Sequence, residues 1–352
     1  MIFNKNYSFF NDNIEFVSSL KSNAISITPK KKSLAQKISI ITRSIFDLAT
    51  LLINFKHGKL IFTTPNIPSY EMFFEKSKIE DCTVINYHTT KIFHDFNGER
   101  VHNIGLFTKL FDIKFLKRKE SKRIYNFYFL LLKIIKYDEI FIPCYYDNVT
   151  LNLVLSKTNK KITEIQHGSI INFFPYSRPS PIKLVDEIYV NNEKTKKFLQ
   201  ENLYKNFETK ITLKPFKYSD DYEFSESKET IVLYCSSIEV NGIHPVLYAF
   251  IKENRDFKLK IRMHPRESSK KIFSDILELI DIEYDFDELK DWKDNMSNYN
   301  LIVITPWSSI AEESTELSIK TIIIDPIGRK RFKHLIDNNI CQYSNNLKDT
   351  LK

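Results

Sequence analysis

Short β-branched runs alternate with stretches of helical period along almost the whole chain, and this alternation restricts the fold more than any other feature. Residues 24–28, 59–65, 83–88, 138–143, 161–165, 186–191 and 211–215 read as strands. Between them, residues 33–54 repeat Leu34, Ile38, Ile41, Ile45, Leu48 and Leu52 at helical spacing, closed by Gly58. That face is expected to lie on a sheet. Further helices are expected near 68–78 and 193–203. Strand–helix–strand repetition demands parallel pairing.

A polar, charged stretch over 217–229 interrupts the pattern, which then restarts. Strands follow at 230–235, 258–263, 282–285, 301–305 and 321–325, with helices near 244–254, 269–280, 288–297, 309–318 and 330–338. The expected fold is therefore α/β, with two Rossmann-like domains facing across a cleft. They would span residues 1–217 and 230–352, joined by a linker at 218–229. A chain of 352 residues is long enough for both. A cleft between two such domains is the usual place for a ligand.

Composition narrows the chemistry. Cys82, Cys144, Cys235 and Cys341 are widely spaced and form no CxxC pair, which argues against a zinc site and a disulfide framework. The first fifteen residues hold no apolar signal core, and no apolar run approaches the ~18 residues of a spanning helix. A cytoplasmic protein is expected. The formal charge of +8 suits an anionic ligand, a nucleic acid or an anionic membrane surface. Nucleic acid is disfavoured, because basic residues alternate with acids outside 109–136. That segment holds nine Lys/Arg against Asp112 and Glu120, interleaved with aromatics such as Phe111, Tyr125 and Phe129. It reads either as a sheet-covering helix with a solvated basic face or as a helix resting on the inner face of the cytoplasmic membrane.

The chemistry-bearing residues gather at strand ends. The run Ile162-Thr163-Glu164-Ile165 stops at Gln166-His167-Gly168, where glycine permits a sharp turn. His167 can exchange a proton near neutral pH, or it can serve as a hydrogen-bonded turn residue. Tyr146 and Asp147 follow the neighbouring strand. In the second half, a strand delivers Arg262, His264 and Arg266 to one edge and stops at Pro265. A guanidinium and an imidazole there suit a phosphate. The strand 301–305 opens through Ser308 and Ser309 into a helix carrying Glu312 and Glu313. This reads as an anion site at a helix N-terminus with carboxylates for ribose hydroxyls, as a capping arrangement, or as both. Ser236 and Ser237 mark a third strand end, and His244-Pro245 reads as a helix start.

In this order the motifs resemble those of bacterial glycosyltransferases of the GT-B type, which are built from two Rossmann-like domains. The shared elements are Glu164-Ile165-Gln166-His167-Gly168, Arg262-Met263-His264-Pro265, and the strand–Ser308-Ser309–helix unit with Glu312 and Glu313. The His-Pro element is similar to that of sialyl- and Kdo-transferases of capsule, O-antigen and lipopolysaccharide synthesis. The resemblance implies metal-independent transfer of a sugar, sialic acid or another CMP-activated sugar, to a glycan or glycolipid, with no cofactor beyond the donor. It implies His167 or Glu164 as the base. Arg262, His264, Pro265, Ser236, Ser237, Ser308, Ser309, Glu312 and Glu313 would bind donor. Gln166, Gly168, Tyr146 and Asp147 would meet acceptor. The chain lacks the Asp/Glu-Asp/Glu-Gly motif that supplies the base in many sialyltransferases, and it has no glycine-rich first loop. Two other activities stay open: a CDP-polyol phosphotransferase of the teichoic-acid type, and a sugar-nucleotide epimerase.

Overall fold

A computed structural model describes residues 34–53, 58–63, 82–87, 95–96, 99–105, 120–135, 137–143, 145, 149–166, 168–173, 176–214, 229–236, 243–254, 258–264, 270–289 and 291–351. The chain divides into two compact units, Met1–Lys217 and Tyr218–Lys352. The strand expected at 24–28, the helix near 68–78 and the linker stretch 218–228 lie outside the described residues.

Unit 1 holds strands β1 (Gly58–Thr63), β2 (Cys82–Asn86), β3 (Asp95–Phe96), β4 (Glu99–Asn103), β5 (Tyr137–Ile142), β6 (Lys161–Ile165), β7 (Glu187–Val190) and β8 (Lys210–Leu213). They form one sheet in the order β3-β4-β2-β1-β5-β6-β7-β8. The β3–β4 pair is antiparallel, and the other pairs are parallel. The chain starts in the middle, runs outward to β4, then returns to the other side of β1 through β5. Helices α1 (Leu34–Ile53), α2 (Glu120–Ile134), α3 (Val149–Leu155) and α4 (Glu193–Glu201) accompany the sheet. Tyr125, Tyr128, Leu131 and Leu132 of α2 share a core with Ile140, Ile142 and Leu151. The aromatic half of the basic segment thus covers the sheet.

β4 escapes sequence reading because Glu99-Arg100-Val101-His102-Asn103 has a single β-branched residue. It is held instead by polar contacts to α1. The fully buried Asp47 carboxylate accepts from the Asn103 backbone N–H (3.2 Å) and side-chain amide (3.0 Å). The Arg43 guanidinium donates to it as well (3.3 Å). This anchor decides which way α1 faces. Asp47 and Leu51 point inward, whereas Ile38, Ile45 and Leu52 are 57%, 49% and 43% exposed. The expectation that the Ile38–Ile45–Leu52 stripe packs on the sheet is therefore overturned. A buried charge must keep its hydrogen-bond donors, and that requirement outweighs the apolar spacing. Gly58, expected as a helix stop, is the first residue of β1.

Unit 2 holds β9 (Glu229–Cys235), β10 (Lys258–Arg262), β11 (Tyr284–Phe286), β12 (Tyr299–Thr305), β13 (Lys320–Ile323) and β14 (Gln342–Tyr343). The order is β11-β10-β9-β12-β13-β14, all parallel. The first strand lies inside, the next two on one side and the last three on the other, which is the doubly wound Rossmann order. Its helices are α5 (Pro245–Glu253), α6 (Lys270–Glu278), α7 (Ile310–Glu316), α8 (Pro326–Arg331) and α9 (Lys333–Ile336). β9 reads cleanly because a central strand is covered on both faces, so Ile231, Val232, Leu233, Tyr234 and Cys235 are all buried. Two expected helices differ. Residues 288–297 give only a 3-10 turn, Trp292–Ser297, whose Asp291 cap accepts from Lys293 N–H (3.1 Å). The helix at 330–338 is split at Phe332 into α8 and α9. Among the described residues no helix is long and apolar enough to cross a membrane.

Candidate functional site

The C-terminal strand ends of unit 2 are level with one another. Arg262 of β10 pairs with Cys235 of β9, and Ile304 of β12 pairs with Tyr234 on the other side. The chain departs from β9 in one direction and returns through β12 in the other, so a crevice opens between the loops that follow them. Ligands of doubly wound sheets bind at this switch point.

Two hydroxyls fasten the loops around it. Ser236 follows β9 directly. Its N–H donates to the Arg262 carbonyl (3.0 Å), and its Oγ accepts from His264 N–H (2.8 Å). The loop carrying the half-buried His264 is thereby tied to the end of β9. Thr305 ends β12. Its Oγ1 donates to the Cys235 carbonyl (2.9 Å) and accepts from Ser308 N–H (3.0 Å). Sequence reasoning missed Thr305, and its position at a strand end, three residues before a serine, was the available signal. Ser309 caps α7 without a side-chain capping bond.

The remaining donor candidates are turned sideways. Arg262 Nη1 donates to Asp287 Oδ2 (2.6 Å) and to the Leu289 carbonyl (3.0 Å). Asp287 is fully buried at its side chain. Arg262 therefore offers an anion hydrogen-bond donors but little net charge. Glu313 accepts from the Trp292 indole N–H (3.0 Å), and burial raises its pKa above the ordinary value. Glu312 lies 3.5 Å from His334 Nε2. Pro265, Arg266 and Ser237 lie outside the described residues.

Packing behind the loop is tight. A Cβ on Gly328 of α8 would stand 1.9 Å from the Pro306 carbonyl oxygen. The Arg331 guanidinium lies over the Trp307 ring at 5.4 Å. α8 thus supports the turn that carries Ser308. His244 is the cap of α5, with Nδ1 accepting from Val246 N–H (3.2 Å) and Nε2 facing Asp325 (3.2 Å). Accepting at Nδ1 places the proton on Nε2, so both ring nitrogens are committed.

In unit 1 the end of β6 is built around Glu164. Its side chain is fully buried. Oε1 accepts from Tyr176 O–H (2.6 Å) and Tyr145 N–H (3.2 Å), and Oε2 from Tyr204 O–H (3.2 Å). Burial pushes its pKa up to about 7 against these hydrogen bonds. Gln166 is buried too. Its Oε1 accepts from Asn191 N–H (2.9 Å), and its Nε2 donates to the Gly168 carbonyl (3.0 Å). Gly168 has φ 69°, the left-handed conformation its turn requires. Glu164 and Gln166 therefore hold the strand end from within rather than face a ligand. His167, Tyr146 and Asp147 lie outside the described residues. Among the described residues no group of three or more His, Cys, Asp or Glu is placed to hold a metal ion.

No protein-family model matches the chain, and neither does any curated protein. Solved structures give distant likenesses. UDP-GlcNAc 2-epimerase from Neisseria meningitidis, bound to UDP-GlcNAc, matches with TM-score 0.49 and 11% identity over 81% of this chain and 86% of that one. MurG of Acinetobacter baumannii matches with TM-score 0.45 and 11% identity over 82% and 85%. The wall teichoic acid polymerase TagF matches with TM-score 0.43 and 10% identity over 93% and 80%. Roles for individual residues come from this chain's own geometry.

Proposed function

We propose that the chain is a GT-B-type glycosyltransferase that moves a sugar from a nucleotide donor, a CMP-activated sugar such as sialic acid, to a glycan or glycolipid acceptor of surface-polysaccharide synthesis. The observation that carries the reading is the unit 2 switch point. There Ser236 and Thr305 pin two loops that present His264, Ser308 and Ser309 around level strand ends. One phosphate suits this site better than two. Asp287 neutralises Arg262, which leaves that side chain hydrogen-bond donors with little net charge to offer an anion. Glu312 or Glu313 would take the ribose hydroxyls on turning from His334 or Trp292.

In the reaction, an acceptor oxygen attacks the anomeric carbon. A carbon–oxygen bond forms there, the bond from that carbon to the phosphate oxygen breaks, and the nucleotide leaves. His167 takes the acceptor proton. Buried Glu164 and Gln166 keep the turn at Gly168 in place. Donors at the phosphate stabilise the leaving charge without a metal.

A thermal-shift panel tests the reading: CMP, CDP, UDP and GDP, their sugar conjugates and CDP-glycerol. Ligand at a hundredfold excess over its Kd should stabilise by about 2.7 kcal/mol. We expect this from CMP and its sugars, with loss in His264→Ala. Preference for CDP-glycerol would move the assignment to polyol-phosphate transfer. Turnover of a UDP-sugar without acceptor would make the protein an epimerase. Binding of none of them would refute the reading.

A further inference from the structure

We propose that the outward face of α1 docks unit 1 onto an anionic phospholipid bilayer. α1 is anchored through Asp47 on β4, and its opposite face is solvent-exposed. That face carries Ile38, Ile45, Phe46, Leu52 and Ile53 at 57%, 49%, 56%, 43% and 80% exposure, with exposed Ala49 between them. Ile38, Ile45 and Leu52 recur every seven residues, so they form one stripe along the helix. Among the described side chains of α1, every exposed one is uncharged. The stripe presents on the order of 500 Å² of apolar surface, which matches the largest patch of an ordinary monomer.

Charge selects the occupant. Between Glu15 and Glu71 the chain carries eight Lys/Arg and one acid, the buried Asp47. That is a net of +7 out of the chain's +8. Lys30, Lys31 and Lys32 precede α1, and Lys56 and Lys59 follow it. An uncharged apolar stripe bracketed by lysines suits an interfacial helix on anionic headgroups. Pairing two copies through this face would instead bring two strongly basic segments together, which is unfavourable. A spanning role is excluded for α1, whose other face is committed to β4. The docking surface is α1 and not α2, on which Leu130 and Ile134 alone are exposed large hydrophobics among the described residues.

The test is flotation of the full chain with vesicles of equal parts phosphatidylglycerol and phosphatidylcholine, against pure phosphatidylcholine. Binding should require phosphatidylglycerol, weaken with added salt, and fall roughly tenfold or more in Ile45→Ser/Leu52→Ser. Both side chains are already exposed, so the variant should melt like the parent, and Leu130→Ser on α2 should bind like the parent. Absence of binding to phosphatidylglycerol vesicles would overturn the proposal. So would binding that survives Ile45→Ser/Leu52→Ser. Light scattering that shows a dimer, lost in the same variant, would assign the face to a second copy instead.

Discussion

Replacing Glu164 by Gln tests whether a neutral acid is what the end of β6 accommodates. The carboxyl is enclosed by Tyr145, Tyr176 and Tyr204, and no cation is among its hydrogen-bond partners. Its pKa rises from 4.5 to about 7 because burial disfavours the charged form. The folded state therefore holds this proton more tightly than the unfolded state. Below 4.5 both states are protonated and stability is unaffected. As pH rises from 4.5 through about 7, stability is progressively lost. At about 1.4 kcal/mol per pKa unit, the full loss is about 3 kcal/mol, of which about 2 falls between about pH 5.5 and about pH 8.5. Gln mimics the protonated acid, since its amide can donate where the acid O–H would, and the tyrosine hydroxyls can turn to suit it. Glu164→Gln should thus match the parent below pH 4.5, lead it by about 1 kcal/mol at about pH 5.5 and lead it by about 3 kcal/mol at about pH 8.5. Denaturant unfolding reads this, with a useful separation of signals. Both tryptophans, Trp292 and Trp307, belong to unit 2, so fluorescence follows that unit while circular dichroism follows both. The pH-dependent gain arises in unit 1, which holds no tryptophan, so circular dichroism is its readout. Parallel pH profiles for the two proteins would refute the reasoning.

Other substitutions probe the unit 2 site. Gly328→Ala would drive a methyl into the Pro306 carbonyl. It should destabilise by about 3 kcal/mol and reduce nucleotide binding in the thermal-shift panel. Thr305→Val keeps the shape but strips Cys235 O and Ser308 N–H of their partner. A loss of about 1–3 kcal/mol is expected by denaturant unfolding. Arg262→Ala leaves Asp287 buried without its cation and should cost about 3 kcal/mol, with fluorescence reporting it directly. At the start of β7 in unit 1, burial alone would raise the Glu187 pKa, but hydrogen bonds from Thr212, Lys161 and Lys210 hold it at about 2. Its stabilisation is present above 4.5 and lost as pH falls toward 2, so Glu187→Gln should flatten the acid limb of the circular-dichroism profile.

The strands most legible in the sequence are those that the sheet buries on both faces. β9, β12 and β6 announce themselves through β-branched runs because burial and propensity ask for the same residues there. β4 and β14 are invisible for the converse reason. The first is held by Asp47 and Asn103, and the second is only two residues long. The seven-residue stripe of α1 was legible as a helix face, but which face is inward depended on a single buried carboxylate 56 residues from its partner in sequence. Site residues divide in the same way. Strand-end serines could be placed from pattern alone. The inward role of Gln166 and the partner of Arg262 could not, because Asn191 and Asp287 each lie 25 residues away.

Both sheets end in short edge strands. Unit 1 stops at the two-residue β3 and the four-residue β8, and unit 2 stops at the three-residue β11 and the two-residue β14. An exposed strand edge is a template for another chain, and its hazard grows with its length. Here the longest and most apolar strands, β9 and β12, lie inside, where their backbone groups are already paired. Among the described residues, a chain rich in isoleucine and phenylalanine therefore leaves only short runs of strand amides unpaired at its sheet edges. That arrangement guards against amyloid-like assembly while leaving the strand ends open.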